Sequence, residues 1–314
     1  MPEWLIERGI GEVRAALVDD GEIVEARIRR EGIVPAGTIL GARLVVAGPR
    51  NAIARVDGAD YLLPKGAPGI SEGRTLSIEV TREAIGGSEP WKRPLARATQ
   101  EPVRTAPPMD GRTLAFPSPV DALEEVGWSD LIDEARSGII AFAGGELRVS
   151  LTPAMTLIDV DGRLAPEELA LAGAQAAARA IRRHGIAGSI GIDLPTIGGK
   201  QARQAVAEAI DTILPQPFER TAVNGFGFLQ IVRPRRFAST FELASDRPAF
   251  EARALLRRAA RAHGAICLVT SPAVAALLEV QAEWIEALSR QVGGAVRLRA
   301  LPGLGMASGY AEPA

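Results

Sequence analysis

The chain has 314 residues, 47% apolar and 24% charged, with a net charge of −2, one cysteine and two histidines. That length and globular composition support two domains, or three small ones, each with its own core. They exclude disulfides within the chain and thiolate zinc sites, since Cys267 stands alone, and no apolar run approaches the roughly 18 residues that span a bilayer.

Residues 1–98 read as β-rich. Short β-prone runs, Arg14–Val18, Glu22–Ile28, Ile39–Val46, Ala52–Val56 and Leu76–Val80, are separated by Gly, Asp and Pro turns with no helical period between them. Such spacing predicts a small barrel, the OB fold among the candidates. Residues 101–119 are rich in Pro, Thr, Arg and Gly and read as a linker or long loop. A helix is expected over Val120–Ala135, then strands Leu147–Ser150 and Met155–Asp159. Pro166 opens a helix with Glu167 and Glu168 in its first turn and Gly185 at its end. The strand Ala187–Asp193, the helix Gln201–Ile213 and the strands Thr221–Val223 and Phe226–Val232 complete a central α/β stretch. Beyond Asp246 a further α/β unit is expected, with helices Phe250–His263, Pro272–Leu278 and Trp284–Gln291 and strands Ala265–Thr270 and Ala295–Leu301.

Chemistry is narrowed by what is scarce. His184 and His263 each end an arginine-rich helix, where a cation suits the helix dipole, and both read as structural or phosphate-facing. A histidine acid/base pair would need both in one site. Carboxylates remain: two apolar strands end alike, in Leu157-Ile158-Asp159-Val160-Asp161 and Ile190-Gly191-Ile192-Asp193. Ligands of open α/β sheets gather at the carboxyl ends of strands. Spacing alone leaves two readings open. Asp159 and Asp193 either cap the turns and helices that follow, or hold a hard cation such as Mg²⁺. The arginines cluster at Arg27, Arg29, Arg30; Arg182, Arg183; Arg233, Arg235, Arg236; and Arg253, Arg257, Arg258, Arg261. Any one such run is ordinarily a solvated face; four make a phosphate-facing surface worth testing. The stripe Arg253, Arg257, Arg261 reads as solvated or subunit-facing. Phe226 and Phe228 alternate on their strand, which places at least one in the core.

The string LTPAMTLIDVDG, ending at Gly162, resembles the catalytic strand of the ribonuclease E/G family. ARAIRR, residues 178–183, the strand ending at Asp193, VNGF followed by FLQIVRPR (228–235), and SPAVA (271–275) resemble further family segments in the same order, and the opening strands and barrel resemble its N-terminal part. The resemblance implies a multidomain α+β chain: opening strands of the nuclease core (1–35), an inserted OB-fold RNA-binding module (36–100), a linker (101–119), a catalytic α/β core of RNase H-like or DNase I-like type (120–245) and a small C-terminal α/β domain (246–314). It further implies a Mg²⁺-dependent endoribonuclease acting on single-stranded RNA in RNA processing or decay; the composition, with no apolar span and no signal-like block in Met1-Pro2-Glu3-Trp4, is that expected of a cytoplasmic protein without membrane association. Asp159 and Asp193 take the catalytic, metal-holding positions. Asp161 stands where the family has asparagine and becomes a third candidate ligand.

Candidate RNA contacts are Arg55, Tyr61 and Lys92 of the barrel, with Trp91 beside Lys92, and Arg179, Arg182, Phe226, Arg233 and Arg235 of the core. Association of copies through the C-terminal domain is also implied. Departures are equally plain. The segment that senses RNA 5′ ends and the zinc-linking cysteines have no counterpart, one stacking aromatic of the barrel is Arg55, and the start of the helix after Asp159 lacks the family's polar side chains. Those losses keep a second expectation in play, an RNA-binding protein of the same fold with weak or no turnover.

Overall fold

The computed structural model describes residues 1–86 and 92–314. Three strands open the chain, β1 (Glu3–Arg8), β2 (Glu12–Asp19) and β3 (Glu22–Arg30). They are followed by β4 (Ile39–Val46), β5 (Ala52–Val56), β6 (Ala59–Leu63), β7 (Thr75–Arg82) and β8 (Leu95–Thr99), which close into a barrel in the order β4-β5-β6-β8-β7. Asp57-Gly58 joins β5 to β6, both residues at positive φ (46° and 84°), the two-residue Asp-Gly turn whose twist matches a hairpin. The barrel is filled by inward residues including Leu44, Ala54, Leu63, Ile78 and Val80.

After β9 (Arg112–Leu114) and α1 (Trp128–Ser137) come β10 (Ile139–Phe142), β11 (Gly145–Leu151), β12 (Thr156–Gly162), α2 (Pro166–Arg183), β13 (Gly188–Asp193), α3 (Lys200–Ile213), β14 (Glu219–Arg220) and β15 (Phe228–Arg233). Their strands form one sheet in the order β10-β11-β12-β13-β15-β14, with β12 and β13 parallel. The last part holds α4 (Thr240–Ser245), α5 (Arg247–Ala259), β16 (Ile266–Thr270), α6 (Pro272–Val280), α7 (Ala282–Val292), β17 (Val296–Ala300) and β18 (Tyr310–Pro313). This is a mixed α+β architecture with several sheets and one closed five-stranded barrel. Among the described residues no helix is long and apolar enough to cross a membrane.

The chain divides into two compact units that interleave in sequence. One joins residues 1–31, 110–131 and 243–314; the other joins 32–109 and 132–242. The opening strands, expected with the core, therefore group with the C-terminal segment. There the sheet β3-β2-β1-β9 carries a buried charge network. Arg14, 1% exposed, donates to Glu7 at 2.7 and 3.0 Å and to Asp121 at 2.6 and 2.7 Å. Arg257 reaches Glu12 at 2.8 Å, Arg261 reaches Asp121 at 2.7 Å, and Arg253 donates to the Gly11 carbonyl at 3.1 Å while lying over Trp284. Arg253 and Arg257 are each only 8% exposed. The basic stripe is thus not a solvated face: Arg253 and Arg257 are buried, Arg261 is half-buried, and their heads bond to carboxylates and carbonyls of the same unit.

Residues 101–119 are more than a linker. Arg104 pairs with Ile39 and donates to the Gly37 carbonyl at 3.0 Å, and β9 adds a parallel strand to β1. The helix expected from Val120 starts eight residues later, at Trp128. Asp121 instead caps a turn by accepting from Leu123 and Glu124 amides, and Gly127 at φ 89° interrupts the chain before α1.

Candidate functional site

Alternation along β12 decides which way its acids point. Ile158 and Val160 are buried, at 0% and 5% exposure, beneath α2. So close is the helix that a Cβ on Gly173 would lie 2.3 Å from Val160 Cγ1. Asp159 and Asp161 therefore face the opposite, open side of the sheet, since successive side chains of a strand alternate. In β13, Ile190 and Ile192 are fully buried on the helix side and Asp193 is exposed. Parallel pairing sets Asp159 beside Asp193 in register, and antiparallel pairing sets Arg148 of β11 beside Asp159. Asp159, Asp161 and Asp193 thus share one face of the sheet with Arg148 and with Glu146, the register partner of Asp161 on β11.

Neither aspartate caps the helix that follows it. The residue before α2 is Ala165 and the residue before α3 is Gly199, and neither helix has a side-chain cap. This removes the helix part of the capping reading; Asp159 does accept a hydrogen bond from the amide of Val160 in its own strand. Partial burial, followed by the charges of Asp161 and Asp193, pushes the Asp159 carboxyl above its ordinary range, with Arg148 acting against them. Arg148 itself is raised, chiefly by its hydrogen bond to Glu146. It lies 2.7 Å from Glu146 and 3.6 Å from Asp161. Among the described residues no three His, Cys, Asp or Glu side chains gather as a ready-made metal cluster. An ion held here by Asp159 and Asp193 would complete its shell from water and phosphate, as Mg²⁺ commonly does.

Beside the acids, Phe228 lies over Gly191, where a Cβ would come within 2.5 Å of the ring, with Leu157 and Met155 alongside. The turn before β15 is tightly built. Asn224 Oδ1 accepts the amides of Phe226 and Phe228 at 2.9 and 3.0 Å. Gly227 sits at φ 92° with the Leu194 carbonyl only 2.1 Å from where a Cβ would be. Leu194 directly follows Asp193, and its amide donates to Gly227 at 3.2 Å. The result holds Phe226, 84% exposed, in a fixed turn next to the end of β13. The expectation that Phe226 or Phe228 enters the core is corrected: Phe226 precedes the strand and projects outward, and Phe228 is half-buried on the sheet surface.

The remaining sequence candidates scatter. Arg179 and Arg182 ride on α2, on the far side of the sheet from Asp159. Arg233 donates to the Ile186 carbonyl at 3.3 Å and Arg235 pairs with Glu242. Arg55, half-exposed, is bonded across its hairpin to Asp60 at 2.7 Å. Tyr61, expected to stack on a base, is 4% exposed and part of the barrel core. Its position on β6 alternates inward with Leu63, so its ring is spent on packing. Lys92 lines a shallow cleft of about 360 Å³ with Asp60, Arg93 and Ile85. Trp91 lies outside the described residues.

Sequence reasoning missed Arg148, whose strand position opposite Asp159 depends on a pairing register that no local motif declares. It also missed the surroundings of His184. That ring is fully buried, with Nδ1 2.7 Å from Thr240 Oγ1 and Nε2 2.9 Å from Glu134. Its place at a helix end is therefore a packed, hydrogen-bonded one, and it does not face phosphate. Comparison with known protein families and with curated proteins finds no match to this chain.

Proposed function

We propose that this chain is a Mg²⁺-dependent endoribonuclease that cuts single-stranded RNA in RNA processing or decay, with Asp159 and Asp193 as the catalytic, metal-holding pair. The observation that supports it most is the in-register placement of those two acids, with Asp161 on the same open face and no helix to cap. Like charges set side by side are unfavourable unless a cation joins them, and an all-carboxylate donor set suits a hard ion. When bound, Mg²⁺ acidifies a coordinated water and neutralises charge on the phosphate under attack.

The chain's own residues supply the rest. Asp161 orients the water or the ion's hydration shell. Phe226, exposed in the turn before β15, offers a face on which an unpaired base stacks, worth about 1–3 kcal/mol. In this reading the barrel is an OB-type module that grips RNA through Arg55 and Lys92, electrostatically, since Tyr61 is buried. The core sheet belongs to the RNase H-like or DNase I-like class.

A second reading, an RNA-binding protein of the same fold with weak or absent turnover, draws on the lack of a three-carboxylate cluster among the described residues. Labelled single-stranded RNA incubated with Mg²⁺ and either the native chain or Asp193→Asn separates the two. Metal-dependent cutting lost only in the variant supports the nuclease. Background decay with both, alongside retained RNA binding, favours the second reading, and no binding at low salt defeats both.

A further inference from the structure

We propose that Arg148, the residue opposite Asp159 on β11, is the side chain that holds the phosphate of the bound strand at this site. The inference rests on the nuclease or RNA-binding reading above and adds to it the cation that the site needs. Four acids on this face, Asp159, Asp161, Asp193 and Glu146, repel a phosphodiester. Without a bound ion, a cation of the chain itself must sit among them before a polyanion can approach.

Arg148 is placed for that task. Its register partner is Asp159 and its guanidinium lies 3.6 Å from Asp161. It is the cation whose charge reaches Asp159. The arginines of the core named above as candidate RNA contacts lie or bond elsewhere: Arg179 and Arg182 on the opposite side of the sheet, Arg233 to the Ile186 carbonyl, Arg235 to Glu242.

Its present partners can be exchanged at little cost. Arg148 is 58% exposed, Glu146 is 36% and Asp161 is 60%. Ion pairs between groups so exposed contribute little to stability. A guanidinium presents a planar fork of donors that matches two phosphate oxygens at once, which an ammonium does not. Turning from the Glu146 carboxylate to a phosphate over the same sheet face trades a weak pair for a bidentate one. The same turn releases Asp161 to act toward the metal, so strand binding and completion of the acid cluster occur together.

The test measures RNA binding in the presence of chelator, so that it is read apart from turnover. Fluorescence anisotropy of a labelled single-stranded oligonucleotide is followed over a range of salt concentrations. The proteins are the parent Asp193→Asn chain, the same chain with Arg148→Met, one with Arg148→Lys, and one with Arg290→Met. Arg290 is an exposed arginine paired with Glu286 on α7 and serves as the charge control.

The expected result for Arg148→Met is a loss of about tenfold in affinity. The slope of log affinity against log salt falls by about 0.7 in magnitude, one phosphate contact on a single strand. Arg148→Lys recovers part of the affinity, and Arg290→Met matches the parent. Urea unfolding of each variant confirms an intact fold. Equal affinity and equal slope for Arg148→Met and its parent overturn the inference while leaving the reading of the site in place. A parent that fails to bind RNA at low salt overturns both.

Discussion

Replacing Asp159 by asparagine should make the metal-free protein more stable while removing its function. The perturbation takes away one charge that feels two like charges, Asp161 and Asp193, and one opposite charge, Arg148. Cross-strand charge pairs on an exposed sheet face contribute about 0.2–1 kcal/mol each, and these groups are screened by water and salt. Two repulsions less one attraction leave a net gain of about 0.5 kcal/mol for Asp159→Asn. For a unit of this size that corresponds to a rise in Tm of about 1–2 °C.

Urea unfolding in chelator, at low and high salt, is the assay. The gain should be present at low salt and shrink at high salt. Adding Mg²⁺ should reverse the order. Saturation at about a hundred times the dissociation constant stabilises the native chain by about 2.7 kcal/mol, and the variant gains far less because half of its metal-holding pair has lost its charge. A loss of about 1 kcal/mol on substitution without metal, the size of a missing helix or turn cap, would refute the reasoning, for Asp159 would then be holding the fold together.

Tyr61→Ala should cost the barrel about 3 kcal/mol of stability through the cavity it leaves, and Tyr61→Phe should leave RNA affinity unchanged in a gel-shift titration. His184 is held below its ordinary value of 6.5 by burial, opposed by Glu134. It is neutral in the folded chain, so its stabilising contribution is present above that value. The contribution is lost as pH falls through it toward the depressed folded value, because the unfolded chain takes the proton first. His184→Gln should flatten this part of the stability–pH profile in urea midpoints. Arg14→Met should destabilise its unit by about 3 kcal/mol by stranding the buried Glu7 carboxylate, while Asp121 keeps Arg261, measured as a lowered unfolding midpoint. Gly173→Ala should lower stability by about 1–3 kcal/mol despite the better helix propensity of alanine, since Val160 is a buried, β-branched neighbour that cannot move aside.

Local features of the fold are well marked in the sequence. Asp57-Gly58 announces its hairpin, Pro166 opens α2, Gly185 follows its end, and the alternation Leu157-Ile158-Asp159-Val160-Asp161 gives both the strand and the face on which its acids lie. What the chain does at long range is not marked in this way. β1 to β3 and the C-terminal α/β segment belong to one unit although more than two hundred residues separate them, and Arg253 and Arg257 of α5 are buried for that reason. Arg253, Arg257 and Arg261 have the spacing of a solvated helix face. Only the partners Gly11, Glu12 and Asp121, brought in from distant sequence, turn that face inward.

The same limit governs the site. Strand-end acids are visible as local motifs, but their meaning depends on which strands are neighbours and in which register. Once β12 and β13 are parallel and in register, Asp159 and Asp193 stand side by side. Once β11 is antiparallel to β12, Arg148 stands beside both acids of that strand. A shift of one residue in either pairing would turn the strand's side chains to the other face. It would bury the acids under α2 in place of Ile158 and Val160. The buried isoleucines and valine that fix this register are therefore as much a part of the site as the carboxylates, because burying them is what keeps the acids and Arg148 together in water.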